Sequence, residues 1–302
     1  MYSDSDPRSR LVADTARSTP MGSMKFAAAD LGLFYQTEPQ IADELASTWI
    51  TRGQNFLVAH SEALPGASLE RKAQPDEYVL ILGRPQDRAT VTAGGETIEV
   101  AGHSIVVVPP GDSRIDLPQG GFVQRVFSAV QEDLTRLASN AASFVERRPQ
   151  IPPYQPWPAP KDGYRIRAYS LDVPSQPGRF GRIFRCSTLM INVLEPQMGP
   201  RDITQLSPHH HDDFEQGSLA IEGSFIHHMR WPWTVNQNDW IEDRHTLCHA
   251  PSLAVIPAPA IHTSAAVAPG MNQLVDIFAP PREDFSRQSG WVLNTDDYPM
   301  PA

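Results

Sequence analysis

Apolar residues in this chain come in short runs cut off by Gly, Pro, Asn and Asp, with no sustained three-and-four spacing of the kind an amphipathic helix needs. The stretch ATVTAGGETIEV alternates apolar and polar positions on both sides of Gly94-Gly95, the pattern of two half-buried strands joined by a tight turn. Short strands at close spacing predict an all-β sandwich or barrel. The one segment that reads as a helix is Gln131 to Val145, with acids in its first turn.

Two long segments order the same parts. The first runs EYVLILGRPQDRATVTAGGETIEVAGHSIVVVPPGDSRIDL (Glu77 to Leu117), then VQRVFSAV (Val123 to Val130). The second runs GSLAIEGSFIHHMRWPW (Gly217 to Trp233), then SLAVIPAPAIHTSAAV (Ser252 to Val267) and NQLVDIFAP (Asn272 to Pro280). Each has an apolar strand ending in Gly, further strands, a run into a proline turn and a closing strand with an aromatic, so the chain reads as an internal duplication. Between the halves, RPQIPPYQPWPAPKDG (Arg148 to Gly163) carries six prolines and suits neither a helix nor a central strand. The expected organisation is a flexible leader over residues 1–24, an N-terminal barrel over 25–147, a linker over 148–163 and a C-terminal barrel over 164–302. Phe285, Trp291 and Tyr298 are expected to pack the tail across a barrel.

At 302 residues the chain is long enough for two domains of about 150 residues. A net charge of −10 and the lack of a Lys/Arg stripe argue against a nucleic-acid partner. Cys186 and Cys248 are the only cysteines and form no CxxC pair, so neither a disulfide framework nor a thiolate zinc cluster is expected. No run reaches the length of a membrane span, and the expectation is a cytoplasmic protein acting on a small molecule.

The chemistry concentrates in SPHHHDDFEQGSLAIEGSF (Ser207 to Phe225). In an extended chain alternate side chains share a face, so His209 and His211 point together while His210 points away. A carboxylate or amide shortly after, Glu215 or Gln216, and a third imidazole from a later strand, His262, would complete a first-row metal site. A carboxylate would cancel one charge of a divalent ion, whereas an amide leaves all of it on the metal. Beyond Gly223, one of His227 and His228 should face inward, and Arg230 with Trp231 or Trp233 could hold a planar or anionic substrate.

These two half-motifs resemble the cupin superfamily, whose first motif runs H-x-H, then Glu, then Gly, and whose second runs P-x-G-x-x-H. His209 to His211, Glu222-Gly223, and Pro257 with His262 match its elements, while Pro259 stands where the second motif has Gly and Ala266 where Asn often follows. The resemblance covers roughly residues 55–130 and 180–280 and implies a bicupin: two tandem double-stranded β-helix barrels of jelly-roll type. It implies one divalent transition metal (Zn, Ni, Fe or Mn) on His209, His211, His262 and Gln216, with Glu215 as the alternative fourth ligand. Glu215 and His228 are then candidate catalytic groups, and His227, Arg230 and Trp231 candidate substrate contacts. The first half has Arg114 in PPGDSR where the second motif has His, so that barrel is expected to be degenerate and metal-free. The resemblance also implies pairing as a homodimer, and the implied activity is lyase or isomerase chemistry on a hydroxy-carbonyl or sugar acid; the alternatives are Fe(II)-dependent dioxygenase cleavage and non-catalytic ligand or metal binding.

Overall fold

The computed structural model describes residues 25–301, and the expected leader at 1–24 lies outside them. Nearly every regular element is a strand, and all the strand pairs within the sheets are antiparallel. Two seven-stranded sheets dominate. One is built around Tyr78–Leu82, Gly121–Ser128 and Phe56–Ala63, the other around Gln216–Glu222, Met271–Phe278 and Ser252–Ile256. Each is closed into a barrel by a smaller sheet, Ala67–Gln74 with Gly111–Leu117, Arg88–Ala93 and Glu96–Ala101 in the first half, and Arg244–His249, Ser224–Arg230 and Ile261–Ala266 in the second.

The YVLIL strand is apolar throughout because both of its faces are covered. Tyr78, Leu80 and Leu82 fill the first barrel, while Val79 and Ile81 join a second core. That second core lies between the barrels: Val58, Val79, Ile81 and Val126 from one large sheet pack with Leu219, Val255, Val275 and Ile277 from the other. The approach is close, since a Cβ on Gly217 would sit 2.8 Å from the Phe56 ring. At about 1.5–3 kcal/mol for each fully buried Val, Leu or Ile side chain, this face holds the two halves as one body.

The barrels also exchange strands. Asp30–Leu33 pairs with Ser252–Ile256 of the second half, and Arg167–Ser170 pairs with Ser104–Val108 of the first. Each covers an otherwise open edge of a large sheet. Each of these two strands therefore pairs in the sheet of the half opposite to the one in which the boundaries at 147 and 164 place it. Two other elements also differ from the sequence reading. The predicted helix is broken into Glu132–Leu137 and a 3-10 turn Ala141–Phe144, with Ser139 and Asn140 bonding back to the Ala46–Arg52 strand. The proline-rich segment is packed down rather than free, with Arg148, Ile151 and Trp157 buried. The tail packs as expected: Phe285, Trp291 and Tyr298 are buried, and the Tyr298 hydroxyl donates to Glu77 Oε1 at 2.8 Å. Among the described residues, no helix is long and apolar enough to cross a membrane.

Arg148 is the polar tie across this assembly. Its guanidinium donates to Glu215 Oε1 and, at 3.0 Å, to Asp30 Oδ2 of the exchanged strand, and it lies 4.2 Å from the centroid of the Phe144 ring. Removing one partner of a buried pair leaves the other charge uncompensated. Arg148→Met is expected to lower the unfolding free energy by about 3–5 kcal/mol in urea titration; a loss below about 1 kcal/mol would show that the pair does not hold the halves together.

Candidate metal centre

The histidines come together through the backbone. His209 lies in the irregular segment before the Gln216–Glu222 strand, and His262 lies in Ile261–Ala266. They are joined as an isolated antiparallel bridge, His209 N–H to His262 O at 3.0 Å and His262 N–H to His209 O at 2.7 Å. His211, two residues on, turns to the same side and stacks on Phe214, with ring centroids 4.2 Å apart. The ring centroids lie 4.4 Å apart for His209 and His262, 5.0 Å for His209 and His211, and 5.1 Å for His211 and His262. One nitrogen from each falls within 4.8 Å of the others, the spacing of a group that could hold a metal ion.

Hydrogen bonds outside the cluster set which nitrogens are available. His209 Nδ1 meets the Ser207 carbonyl at 2.9 Å and His262 Nδ1 meets the Ala260 carbonyl at 2.9 Å. A carbonyl only accepts, so both Nδ1 atoms carry the proton and both Nε2 atoms present a lone pair, as a histidine ligand requires. Burial, reinforced by the Arg282 guanidinium and then by His262 and His209, holds His211 well below the usual histidine range, so its ring is neutral at pH 7.

Gln216 opens the next strand, and its amide is oriented by a buried polar network. Its Nε2 donates to Ser218 Oγ and to Asp276 Oδ1, both at 3.0 Å, and the Ser218 hydroxyl donates to Asp276 Oδ1 at 3.0 Å. The amide oxygen is thereby left facing His211 Nε2 at 3.0 Å. An amide oxygen only accepts, so His211 Nε2–H donates to it here, and on loss of that proton the same ~3.0 Å spacing is that of two donors about 2.1 Å from one octahedral ion. The residues present therefore fit a divalent ion.

The other candidates lie elsewhere. Glu215, adjacent to Gln216 but on the opposite side of the strand, is buried on Arg148 and accepts the Gln54 backbone N–H at 2.5 Å. Burial pushes its carboxyl up and Arg148 pulls it back. That arrangement turns it away from the triad, so neither its ligand nor its base role is supported by position. His228 is on the outer face of Ser224–Arg230, where its Nδ1 is 2.7 Å from His245 Nδ1. Arg230 is exposed and paired with Asp243 at 2.6 Å. Trp231 is buried against Phe26 and Ala29, its indole N–H donating to Ala27 O at 3.0 Å. Trp233 is exposed and stacks on Trp240 with centroids 4.6 Å apart.

His227 faces inward. It is 1 % exposed, its Nδ1 is 2.8 Å from Ser264 Oγ, and its Nε2 has no hydrogen-bond partner. Burial, then His262 and His228, lower it to about 4. Sequence reasoning missed Ser218, Asp276 and Phe214. An acid set in the apolar run LVDIF was the available signal for Asp276.

In the first barrel, Arg114 points outward, bonding Asp116 at 2.6 Å, rather than into the place of a ligand. Val79 pairs with Val126 as Leu219 pairs with Val275, so Tyr78 and Phe127 stand where Ser218 and Asp276 stand in the second barrel. There the two aromatics stack at 4.7 Å instead of building a polar network.

No protein-family model matches the chain, and no curated protein matches it. Solved structures do. AerE from Microcystis aeruginosa superposes with a TM-score of 0.55 at 9% identity, over 86% of this chain and 100% of that one. The oxalate decarboxylase of Lactobacillus farciminis, as its formate complex, gives 0.53 at 14% identity over 87% and 89%. Vicilin from hazelnut, Corylus avellana, gives 0.55 at 15% identity over 82% and 84%. The chain shares the fold of these structures, two β-barrels in tandem. At these identities the likeness carries the architecture and leaves the chemistry to the residues.

Partners that orient a ligand typically govern affinity by 10- to 100-fold. Asp276→Ala frees the Gln216 amide to rotate and is expected to weaken divalent-metal binding by about 10- to 100-fold in a chelator competition assay. Unchanged affinity would exclude Gln216 as an oriented donor.

Proposed function

We propose that this protein is a metal-dependent enzyme whose C-terminal barrel acts on a small hydroxy-carbonyl or sugar acid by lyase or isomerase chemistry. The observation that carries this reading is the neutrality of the donor set. The three imidazoles lie together with the Gln216 amide against His211, none of these donors is an anion, and the neighbouring Glu215 carboxylate is committed to Arg148. His209, His211, His262 and Gln216 would hold the ion. A divalent cation on neutral donors keeps its full charge and would supply Lewis-acid polarisation of a substrate carbonyl.

The chain's own groups do the rest. Ser207 and Ala260 carbonyls keep the Nε2 lone pairs of His209 and His262 presented. Asp276 and Ser218 fix the amide. His227 Nε2, buried and with no protein partner, is the group that would orient a substrate oxygen. The oxalate decarboxylase of the same fold indicates that this architecture accommodates cleavage of a small carboxylic acid.

The test is turnover of a panel of hydroxy and sugar acids by the zinc- or nickel-loaded chain, with and without O2. Equal rates in both atmospheres are expected. Turnover only with iron, matched by O2 uptake, would replace the reading with a dioxygenase, and no turnover with any metal would leave a binding protein. His227→Gln is expected to raise KM about tenfold while changing kcat less, the signature of lost binding rather than lost chemistry; an unchanged KM would remove His227 from the substrate contacts.

A further inference from the structure

A cleft beside the first barrel carries positive charge that no ion pair answers. It has a volume of about 280 Å³ and lies where the end of the Ala46–Arg52 strand meets the 3-10 turn Ala141–Phe144 and the start of the proline-rich segment. Arg52 and Arg147 both line it, and no acid is among the lining residues. Backbone carbonyls hold the two side chains: Arg52 Nε donates to Gly53 O at 3.0 Å and Nη2 to Gln54 O at 3.3 Å, while Arg147 Nη2 donates to Ile151 O at 3.2 Å. The Arg52 guanidinium also lies 5.0 Å from the centroid of the Phe144 ring. These contacts fix the direction of each side chain and cancel no charge.

The carboxylates nearby are committed elsewhere. Glu215 and Asp30 both pair with Arg148, and among the described residues neither Arg52 nor Arg147 has an ion pair. Burial lowers the Arg52 guanidinium, Glu215 raises it and Arg148 lowers it further, and an arginine so placed stays charged at pH 7. The neutral polar groups of the lining are occupied too. Gln54 and Asn55 donate amide N–H groups to Ile151 O at 3.4 Å and Pro152 O at 3.0 Å, and the Tyr154 hydroxyl donates to Asp76 Oδ2 at 2.7 Å. The guanidinium N–H groups without a protein acceptor are therefore the donors a ligand would meet. The rest of the lining is apolar, with Val145 84 % exposed and Val130 39 % exposed beside Ala129 and the Phe144 ring.

We infer that this cleft binds a small dicarboxylate, one carboxylate on each guanidinium and the carbon chain between them against Val130, Phe144 and Val145. Two parallel N–H donors match the two oxygens of a carboxylate, and arginines carried on separate segments suit an anion with a charge at each end. A single compact oxyanion such as phosphate would meet the charge but leave the exposed valines in water. The cleft shares no residue with the histidine cluster and does not depend on the reaction proposed there.

Succinate is the probe. Calorimetric titration of the full chain, treated with chelator and held at constant ionic strength with sodium chloride, should show saturable binding of one succinate per chain. Arg147→Gln, a change at an exposed position, should keep the wild-type melting temperature and weaken binding by about tenfold or more, because a charge-assisted pair is lost. Arg52→Gln should weaken it to a similar extent. Propionate, with one carboxylate, and inorganic phosphate should each bind about tenfold or more weakly than succinate. His262→Ala should bind succinate as the wild type does. No saturable heat in the wild type, undiminished binding by Arg147→Gln, loss of binding in His262→Ala, or propionate or phosphate binding as tightly as succinate would each overturn the proposal.

Discussion

A buried carboxylate that must be neutralised sets the geometry of the second barrel. Glu215 is 3 % exposed, and it takes Arg148 from the proline-rich segment and a backbone N–H from Gln54 of the first barrel. Arg148 in turn holds Asp30, on the strand that crosses into the second barrel's sheet. One ion cluster thus fastens four separate parts of the chain, and its desolvation is tolerable only while every partner is present. Strand alternation carries the consequence to the site. With residue 215 pinned outward, residue 216 must face inward, where Asp276 and Ser218 aim its amide at His211.

The duplicated barrels show how one scaffold supports two different interiors. At register-equivalent positions the first barrel has the Tyr78–Phe127 stack and the second has Ser218 and Asp276. Aromatic packing closes the space that the polar network leaves for Gln216 and the histidines. The outer faces of the same strands are alike, Val79 and Val126 against Leu219 and Val275, because they share one job, the core between the barrels. The two barrels are alike on that shared face, while the inner faces differ in chemistry.

Much of this was legible in the sequence, and the remainder was hidden for identifiable reasons. The repeat, the all-β class and the histidines could be read because strand alternation and motif order are local. Whether Glu215 or Gln216 lies beside the histidines could not, because the deciding partner, Arg148, is 67 residues away. In SFIHHMR both phases of the strand carry a histidine, so the pattern could not say that His227 faces inward and His228 outward. Arg230 and Trp231 were then assigned to the pocket, whereas Asp243 and the Phe26–Ala29 segment claim them. The strand exchange was hidden because DLGL and RAYS are short, and their partners lie in the opposite half.

The central claim is that His209, His211, His262 and Gln216 form a site for one divalent metal. The most direct test is elemental analysis of the untagged chain beside His262→Ala, each confirmed folded by circular dichroism. The account predicts one transition-metal ion per wild-type chain and a near-complete loss in the variant. Equal metal in both proteins, or none in the wild type after reconstitution with zinc, nickel, iron and manganese in turn, would contradict it.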